Sequence, residues 1–405
     1  MSIMKIGLLY GGKSVEHAVS IRSATNLYQQ MVLAGHQVVA IGIADDGQWY
    51  LQDTSGLQAS DQLPLDTMAD NRLLLLPGVG ISDSKRGELL ELDLCFPITH
   101  GNYGEDGRLQ GLLEILGLPY VGCGPLTSAI GMHKNLAKQF AKNCGIPVVP
   151  STSLSNRDYE YLNGTSSIAS PLLLHNLSEE SDVQNRPSLR SRTALSRLVN
   201  HLQDTLGSSI LLKPETGGSS VGVVALKQYN ETTLLEALQE VGKYSETILI
   251  ELLVTEMVEV ECAVLRKGGV LEVTKPGMVV DPLGKDSGFL TYGRKYSDNR
   301  SAYMDIPAPI PLESSKTIRQ YTKTLCEAID VRGLARVDFF FRPDTRAIFF
   351  NEINTLPGMT VQSHYPKLIE AAGYSWPDLL DVLFVSALEE RSKHKQLVYR
   401  LEKQF

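Results

Sequence analysis

The stretch ARVDFFFRPDTRAIFFNEIN, residues 335–354, carries side chains of the types and spacing that hold a hard cation. If the turn RPDTR is centred on Asp344, a hairpin places Arg336 opposite Glu352 and Asp338 opposite Phe350. Alternation along the strands then sends Arg336, Asp338, Glu352 and Asn354 to one face, and Val337, Phe339, Ala347 and Phe349 to the other. Asp338 and Glu352 become diagonal neighbours, about 7–8 Å apart at the backbone. Two carboxylates and an amide oxygen so arranged suit Mg²⁺ shared with nucleotide phosphates. The same pattern also fits a salt-bridged, solvated face with Arg336 as its counter-ion. Directly after it, NTLPGMT makes a Pro-Gly turn whose backbone amides would lie where an oxyanion is stabilised.

Phosphates need a cradle, and two stretches compete for the role. GLLYGGKS, residues 7–14, satisfies the spacing G-x-x-x-x-G-K-S of a phosphate-wrapping loop. Its four variable residues are Leu8, Leu9, Tyr10 and Gly11, so most of the match lies inside an apolar strand and little is left to surround an anion. KPETGGSSVGV, residues 213–223, is the better candidate. Its glycines and serines leave N–H groups and hydroxyls open, and Lys213 adds a positive charge. An ordinary hairpin loop would read the same way.

These segments must be positioned by a chain of 405 residues, long enough for two or three compact units. A net charge of −8 argues against non-specific nucleic-acid binding. Five scattered cysteines without C-x-x-C spacing suggest reduced thiols in a cytosolic protein. No window has the run of about 20 apolar residues that a membrane span needs, and the first residues lack the pattern of a cleaved leader. Strands at 4–10, 36–43 and 92–99, with helices near 19–34, 107–117 and 127–144, describe an α/β unit with a parallel sheet over residues 1–125. Residues 126–250 form a second unit. Within it, the stretch 154–205, rich in Ser, Asn, Leu and Arg, reads as a mobile insertion next to a helix near 193–206. Residues 251–405 form a third unit, mixed and largely antiparallel, with a polar loop at 281–302 and a helix from about 376.

Taken together, GGKSVEHAVSIRSA, HGNYGEDGRLQGLLEILGLPYVGCG, KPETGGSSVGV, RKYSDN, ARVDFF and NEINTLPGMT resemble the D-alanine–D-alanine ligase family of the ATP-grasp fold. The resemblance runs from about residue 4 to 390, outside the insertion. It implies ATP held between two sheets, two Mg²⁺ ions (Mn²⁺ being an alternative), an acyl phosphate made from one amino acid, and attack by the amine of a second. It implies a homodimer acting on small amino acids, with no nucleic acid or membrane partner, in peptidoglycan precursor synthesis. By the same resemblance the loop after the first strand faces the first amino acid, not ATP. Glu16 then holds the substrate ammonium, and His100 lies near it; without the resemblance His100 reads as a capped loop histidine. Lys134, Lys213, Gly218, Ser220 and Lys295 fall to the phosphates, and Glu251 and Glu259 to adenine and ribose. Ser219 and Tyr296 join Glu16 in a triad closing a loop over the site. Arg336 and the Gly358 N–H face the tetrahedral oxyanion, Asp338, Glu352 and Asn354 take the metals, and Ser363 meets the second substrate's carboxylate.

Three positions depart from the family pattern. His133 replaces an aspartate, the closing loop reads FLTYGRKYSDN, and His364 stands where dipeptide-forming members carry Leu or Met. An imidazole at 364 either fills the pocket wall or admits a different acceptor, such as a hydroxy acid, serine or a larger amino acid. Tyr296 points back toward dipeptide formation. A regulatory nucleotide-binding module without catalysis is the rival of another class, disfavoured because the acids, the arginine and both lysines are all present.

Overall fold

The computed structural model describes residues 2–58, 61–165, 187–280 and 303–395. The first unit comprises β1 (Lys5–Gly11), α1 (His17–Leu33), β2 (Gln37–Ile43), β3 (Trp49–Leu51), β4 (Leu73–Leu76), β5 (Gly80–Asp83), β6 (Leu94–Pro97) and α2 (Arg108–Leu116). Its sheet has the order β3-β2-β1-β6, with β1 parallel to both neighbours, and β4 and β5 form a separate antiparallel pair. The continuous apolar run of β1 follows from burial on both faces. Leu8 and Tyr10 pack with Leu27 and Met31 of α1, while Leu9 packs on the other side with Leu109 and Leu113 of α2. At the strand's end Gly11 has φ +89°, and a Cβ there would stand 2.4 Å from the Ile43 carbonyl oxygen. The glycines at 11 and 12 therefore turn the chain out of the sheet, and the first five residues of GLLYGGKS lie within β1.

A single helix over 127–144 is replaced by two, α3 (Pro125–Met132) and α4 (Lys134–Asn143), because His133 is extended at φ −86° and ψ 98°. The joint makes Lys134 the first residue of α4, with Lys138 one turn on along the same face. The second sheet takes β7 (Ser151–Ser155), β8 (Ile210–Pro214), β9 (Val224–Leu226) and β10 (Thr247–Leu252), antiparallel in the order β7-β10-β8-β9. Its helices are α5 (Asn156–Leu162), α6 (Pro187–Leu206) and α7 (Glu231–Val241). Much of the stretch expected as an insertion is thus integral. Leu154, Leu162, Leu198 and Leu202 are buried with Leu212, Leu238 and Ile248 in one apolar cluster; the last helix expected there, near 193–206, is α6, and its apolar stripe faces this core.

The third sheet is built from β11 (Val258–Lys267), β12 (Val270–Val273), β13 (Gly277–Val280), β14 (Tyr303–Asp305), β15 (Leu334–Phe341) and β16 (Ile348–Asn354). They run antiparallel in the order β14-β13-β11-β15-β16, and β12 also pairs with β11. Helices α8 (Leu312–Ala328), α9 (His364–Ala371) and α10 (Trp376–Lys395) complete the unit. Alternation along β11 divides its work. Val260, Cys262 and Val264 pack with Ala137 of α4 and Ile318 and Leu325 of α8. Ala263 and Leu265 face the other way, into a core shared with Leu8, Tyr365 and Leu380. Glu259 and Glu261 lie on that second face nearer the start of the strand.

The hairpin register differs from the symmetrical one. Arg336 pairs with Asn354 and Asp338 with Glu352, after which a bulge shifts the pairing so that Phe339 meets Phe350. Asn351 is the additional residue. Asp338 and Glu352 are therefore direct cross-strand partners rather than diagonal ones. The bulge also moves the apolar face of β16 to Ile348 and Phe350, with Phe349 half-buried. All five cysteine thiols are free, and among the described residues no helix is long and apolar enough to cross a membrane.

Candidate active site

The 213–223 loop, the start of α4 and two sheets enclose one cleft. The 213–223 loop after β8 supplies its roof, with Ser219 and Ser220 both left-handed at φ +54° and +57°. Such backbone is costly for non-glycine residues and persists where the surroundings enforce it. The enforcement here is visible. The Ser219 hydroxyl donates to Glu16, and Gly218 lies so close that a Cβ would stand 2.7 Å from the Glu16 carboxylate. Lys134 Nζ donates to the Gly217 carbonyl at 2.5 Å, fastening the loop from α4. Lys134, Lys213, Gly218, Ser219, Ser220, Glu259 and Glu352 all line this cleft. His133 turns its ring toward Glu215 of the loop at 3.7 Å.

Beneath the loop lies a buried charge cluster. Glu251 on β10 accepts from both Lys138 and Lys213, and Lys213 also donates to the bulge residue Asn351 at 3.4 Å. Burial works against the Glu251 carboxylate, but the two ammonium groups prevail and pull it down to about 2. Its side chain anchors these lysines and does not line the cleft. Lys138, one turn from Lys134 on α4, was legible as a same-face partner but was not singled out.

The opposite wall is acidic. Arg336 donates to Asp338 through Nε at 2.8 Å and Nη2 at 2.7 Å, a bidentate pair, and Asn354 Nδ2 donates to Asp338 at 3.0 Å. Glu261 faces Asp338 across β11 and β15 and lies 2.9 Å from Arg336 Nε. Burial pushes the Asp338 carboxyl up, and the charges of Glu261 and Glu352 add to this against the pull of Arg336. Carboxylate oxygens of Glu259, Glu261 and Asp338 lie within 4.8 Å of one another. With Glu352 paired to Asp338, the residues present fit a divalent cation: hard oxygen donors, an excess of negative charge, and a facing wall of lysines. Glu261 was missed in the sequence, although the alternation of VEVECAV places it on the same face as Glu259.

The first unit closes the far end. Glu16 is buried between Gly101 and Gly218, at the start of α1. His100 is buried, with Nε2 3.0 Å from Ser23 Oγ, and Ser23 in turn accepts from the Met359 N–H at 3.4 Å. Asn26 donates to the Met359 carbonyl at 2.7 Å, so α1 clasps the turn that carries Gly358. Burial lowers His100 to about 4, opposed by a hydrogen bond with the Leu356 backbone and aided by Arg336. Glu105, quoted within HGNYGEDG but not selected, is a second, half-buried acid there. It accepts from the Gly101 N–H at 2.7 Å, and burial, with Glu16 adding, pushes it up to about 8. Ser363 directly precedes α9, its hydroxyl accepting from the Thr360 N–H at 3.1 Å rather than capping the helix, and His364 Nδ1 lies 2.9 Å from Glu261. Tyr296 and Lys295, expected on the closing loop, lie outside the described residues.

Residues 5–123 match the family described as D-ala D-ala ligase N-terminus, and residues 185–385 match D-ala D-ala ligase C-terminus. A D-alanine–D-alanine ligase of Caldicellulosiruptor bescii is 33% identical over 406 residues, covering 99% of this chain and all of the relative. The chain belongs to the D-alanine–D-alanine ligase family. D-alanine–D-alanine ligase A of Chromobacterium violaceum is 34% identical, with 96% of each chain covered. Among solved structures, the D-alanine–D-alanine ligase of Coxiella burnetii superposes with a TM-score of 0.72 at 28% identity, covering 97% of both chains. The VanG D-Ala:D-Ser ligase of Enterococcus faecalis gives 0.71 at 26% identity, over 95% of this chain and 100% of that one. The two sheets and the cleft between them are accordingly the ATP-grasp architecture of this family.

Proposed function

We propose that the protein is an ATP-dependent D-alanine–D-alanine ligase, forming ADP, phosphate and a dipeptide used in peptidoglycan precursor synthesis in the cytoplasm. The observation that carries this reading is the hydrogen bond from Ser219 to Glu16. It joins the anion loop of the second unit to the carboxylate of the first, so an amino acid whose ammonium meets Glu16 has its own carboxylate beside the phosphate-binding groups.

The roles follow from charge and position. Lys134 and Lys213, with the open backbone of Gly218 and Ser220, neutralise and orient the triphosphate. The carboxylate of the first D-alanine attacks the terminal phosphorus, displacing ADP and giving an acyl phosphate; the amine of the second D-alanine, having lost a proton, then attacks the acyl carbon, and the tetrahedral intermediate collapses with release of phosphate. Asp338, Glu352 and Asn354 would hold Mg²⁺ or Mn²⁺, which supplies charge neutralisation to the phosphates. Arg336, fixed by Asp338, and the Gly358 N–H, fixed through Met359 by Ser23 and Asn26, point the oxyanion donors. Ser363 receives the acceptor's carboxylate, and Glu259 the nucleoside. Tyr296 and Lys295 would complete the closed site, and a homodimer is the assembly in keeping with the family.

The test is phosphate release from ATP with D-alanine and Mg²⁺, with mass spectrometry of the product. Release that requires both, and a D-alanyl-D-alanine product, supports the reading. No turnover with any of a panel of D- and L-amino acids overturns it.

A further inference from the structure

His364 and Glu261 make a pair that neither the family comparison nor the reading above assigns. Glu261 is 2% exposed, held opposite Asp338 by the register of β11 and β15. Its one carboxylate serves two cations or dipoles. Arg336 Nε lies at 2.9 Å on one side, and His364 Nδ1 lies at 2.9 and 3.0 Å from the two oxygens on the other. An ionised carboxylate only accepts hydrogen bonds, so Nδ1 must carry a proton whether the ring is neutral or charged. The tautomer is thereby fixed. Nε2 is left as the ring's second polar atom, with no hydrogen-bond partner among the described residues, on a side chain 20% exposed. It stands at the start of α9, next to Ser363.

We propose that Glu261 is a positioning residue for the acceptor side, holding His364 so that Nε2 hydrogen-bonds the hydroxyl of an acceptor amino acid with a serine-type side chain. The inference rests on the reading that Ser363 and His364 wall the second amino acid's pocket. In the neutral ring Nε2 accepts, and in the charged ring it donates. A hydroxyl can answer either state, because it both donates and accepts. The methyl group of alanine answers neither and leaves a polar edge out of contact with water. An aliphatic residue at 364 would remove that distinction. Because Glu261 also grips Arg336, the acceptor wall and the group facing the oxyanion share one anchor. A serine-type hydroxyl bound at His364 is thus registered against the reaction centre, rather than merely tolerated.

The experiment gives the wild-type enzyme ATP, Mg²⁺ and D-alanine with D-serine in competition, and counts the products by mass spectrometry. His364→Leu and Glu261→Gln are measured alongside it, together with the double variant. The expected result is a D-alanyl-D-serine product whose kcat/KM, relative to D-alanyl-D-alanine, falls about tenfold in either single variant. In the His364→Leu background, Glu261→Gln should leave that ratio unchanged, since Glu261 acts on it through the ring. Nitrogen NMR of the wild-type imidazole should show Nδ1 protonated, a readout independent of whether any variant folds. An unchanged product ratio in both variants, or a ring protonated only on Nε2, overturns the inference while dipeptide synthesis leaves the ligase reading standing. No turnover by the wild type with any amino acid overturns both.

Discussion

The two walls of the cleft bury charge in opposite ways. On the second unit's side, Lys138 and Lys213 share a single carboxylate, Glu251, and Lys134 fastens the loop beside them. On the third sheet, Glu261 and Asp338 grip a single guanidinium, Arg336, with Glu259 grouped beside them and Glu352 paired across the strands with Asp338. Each wall is internally paired, which limits the cost of burial, yet each keeps an excess of one sign. The lysine wall is left seeking anions and the acidic wall seeking cations. A nucleotide triphosphate with its divalent ions satisfies both at once, and neither wall alone specifies it.

Breaking the lysine wall should have the largest effect. Glu251→Gln leaves two buried ammonium groups without their counter-charge, an expected loss of about 3–5 kcal/mol of stability. Chemical denaturation should show it as a lowered midpoint, with weakened nucleotide binding in whatever folds. Breaking the acidic wall should act on rate instead. Asp338→Asn keeps the shape and removes the charge, so turnover should drop about 10²–10³-fold. Divalent-ion titration of phosphate release would reveal it, because the requirement for Mg²⁺ should rise as well.

A third change sharpens the contrast through pH. His100 is buried neutral, its folded value of about 4 lying below the ordinary 6.5. The unfolded chain therefore binds the proton first, and stability should decline as pH falls from 6.5 toward 4. At about 1.4 kcal/mol for each pH unit, this amounts to about 3 kcal/mol. His100→Gln should flatten that part of the stability profile, measured by denaturation at a series of pH values. Glu251 acts in the same direction as His100 but over a lower range: its stabilisation is complete above about 4.5 and is lost only between there and about 2. The two can thus be separated by pH range. Smallest is Ser219→Ala, which removes one hydrogen bond to a charged group. About 2 kcal/mol, or roughly thirtyfold in kcat/KM, is expected. Thermal unfolding should hardly change.

The sequence disclosed the chemistry of both walls unevenly, for physical reasons. Alternation placed Asp338, Glu352 and Asn354 on one face, because a strand's side-chain period is fixed. It missed the pairing, because a bulge at Asn351 adds one residue without any glycine or proline to announce it. It missed the joint at His133 for the same reason: the helical pattern runs through, and only the extended backbone breaks it. Glu261 and Lys138 each repeat a period already noticed, two residues from Glu259 and four from Lys134, and were within reach. Glu105 was not. Its burial depends on the folding of the 100–107 loop against the Leu356 turn, and loops carry no period to read.

The central claim is that the two walls close on one metal-bound triphosphate. It is tested most directly by a crystal structure with Mg²⁺, D-alanine and a non-hydrolysable ATP analogue. Asp338 and Glu352 should be found on the same Mg²⁺, with Lys134 and Lys213 on the phosphates that this ion bridges. A triphosphate bound away from the cleft, or a metal held without either carboxylate, would contradict it.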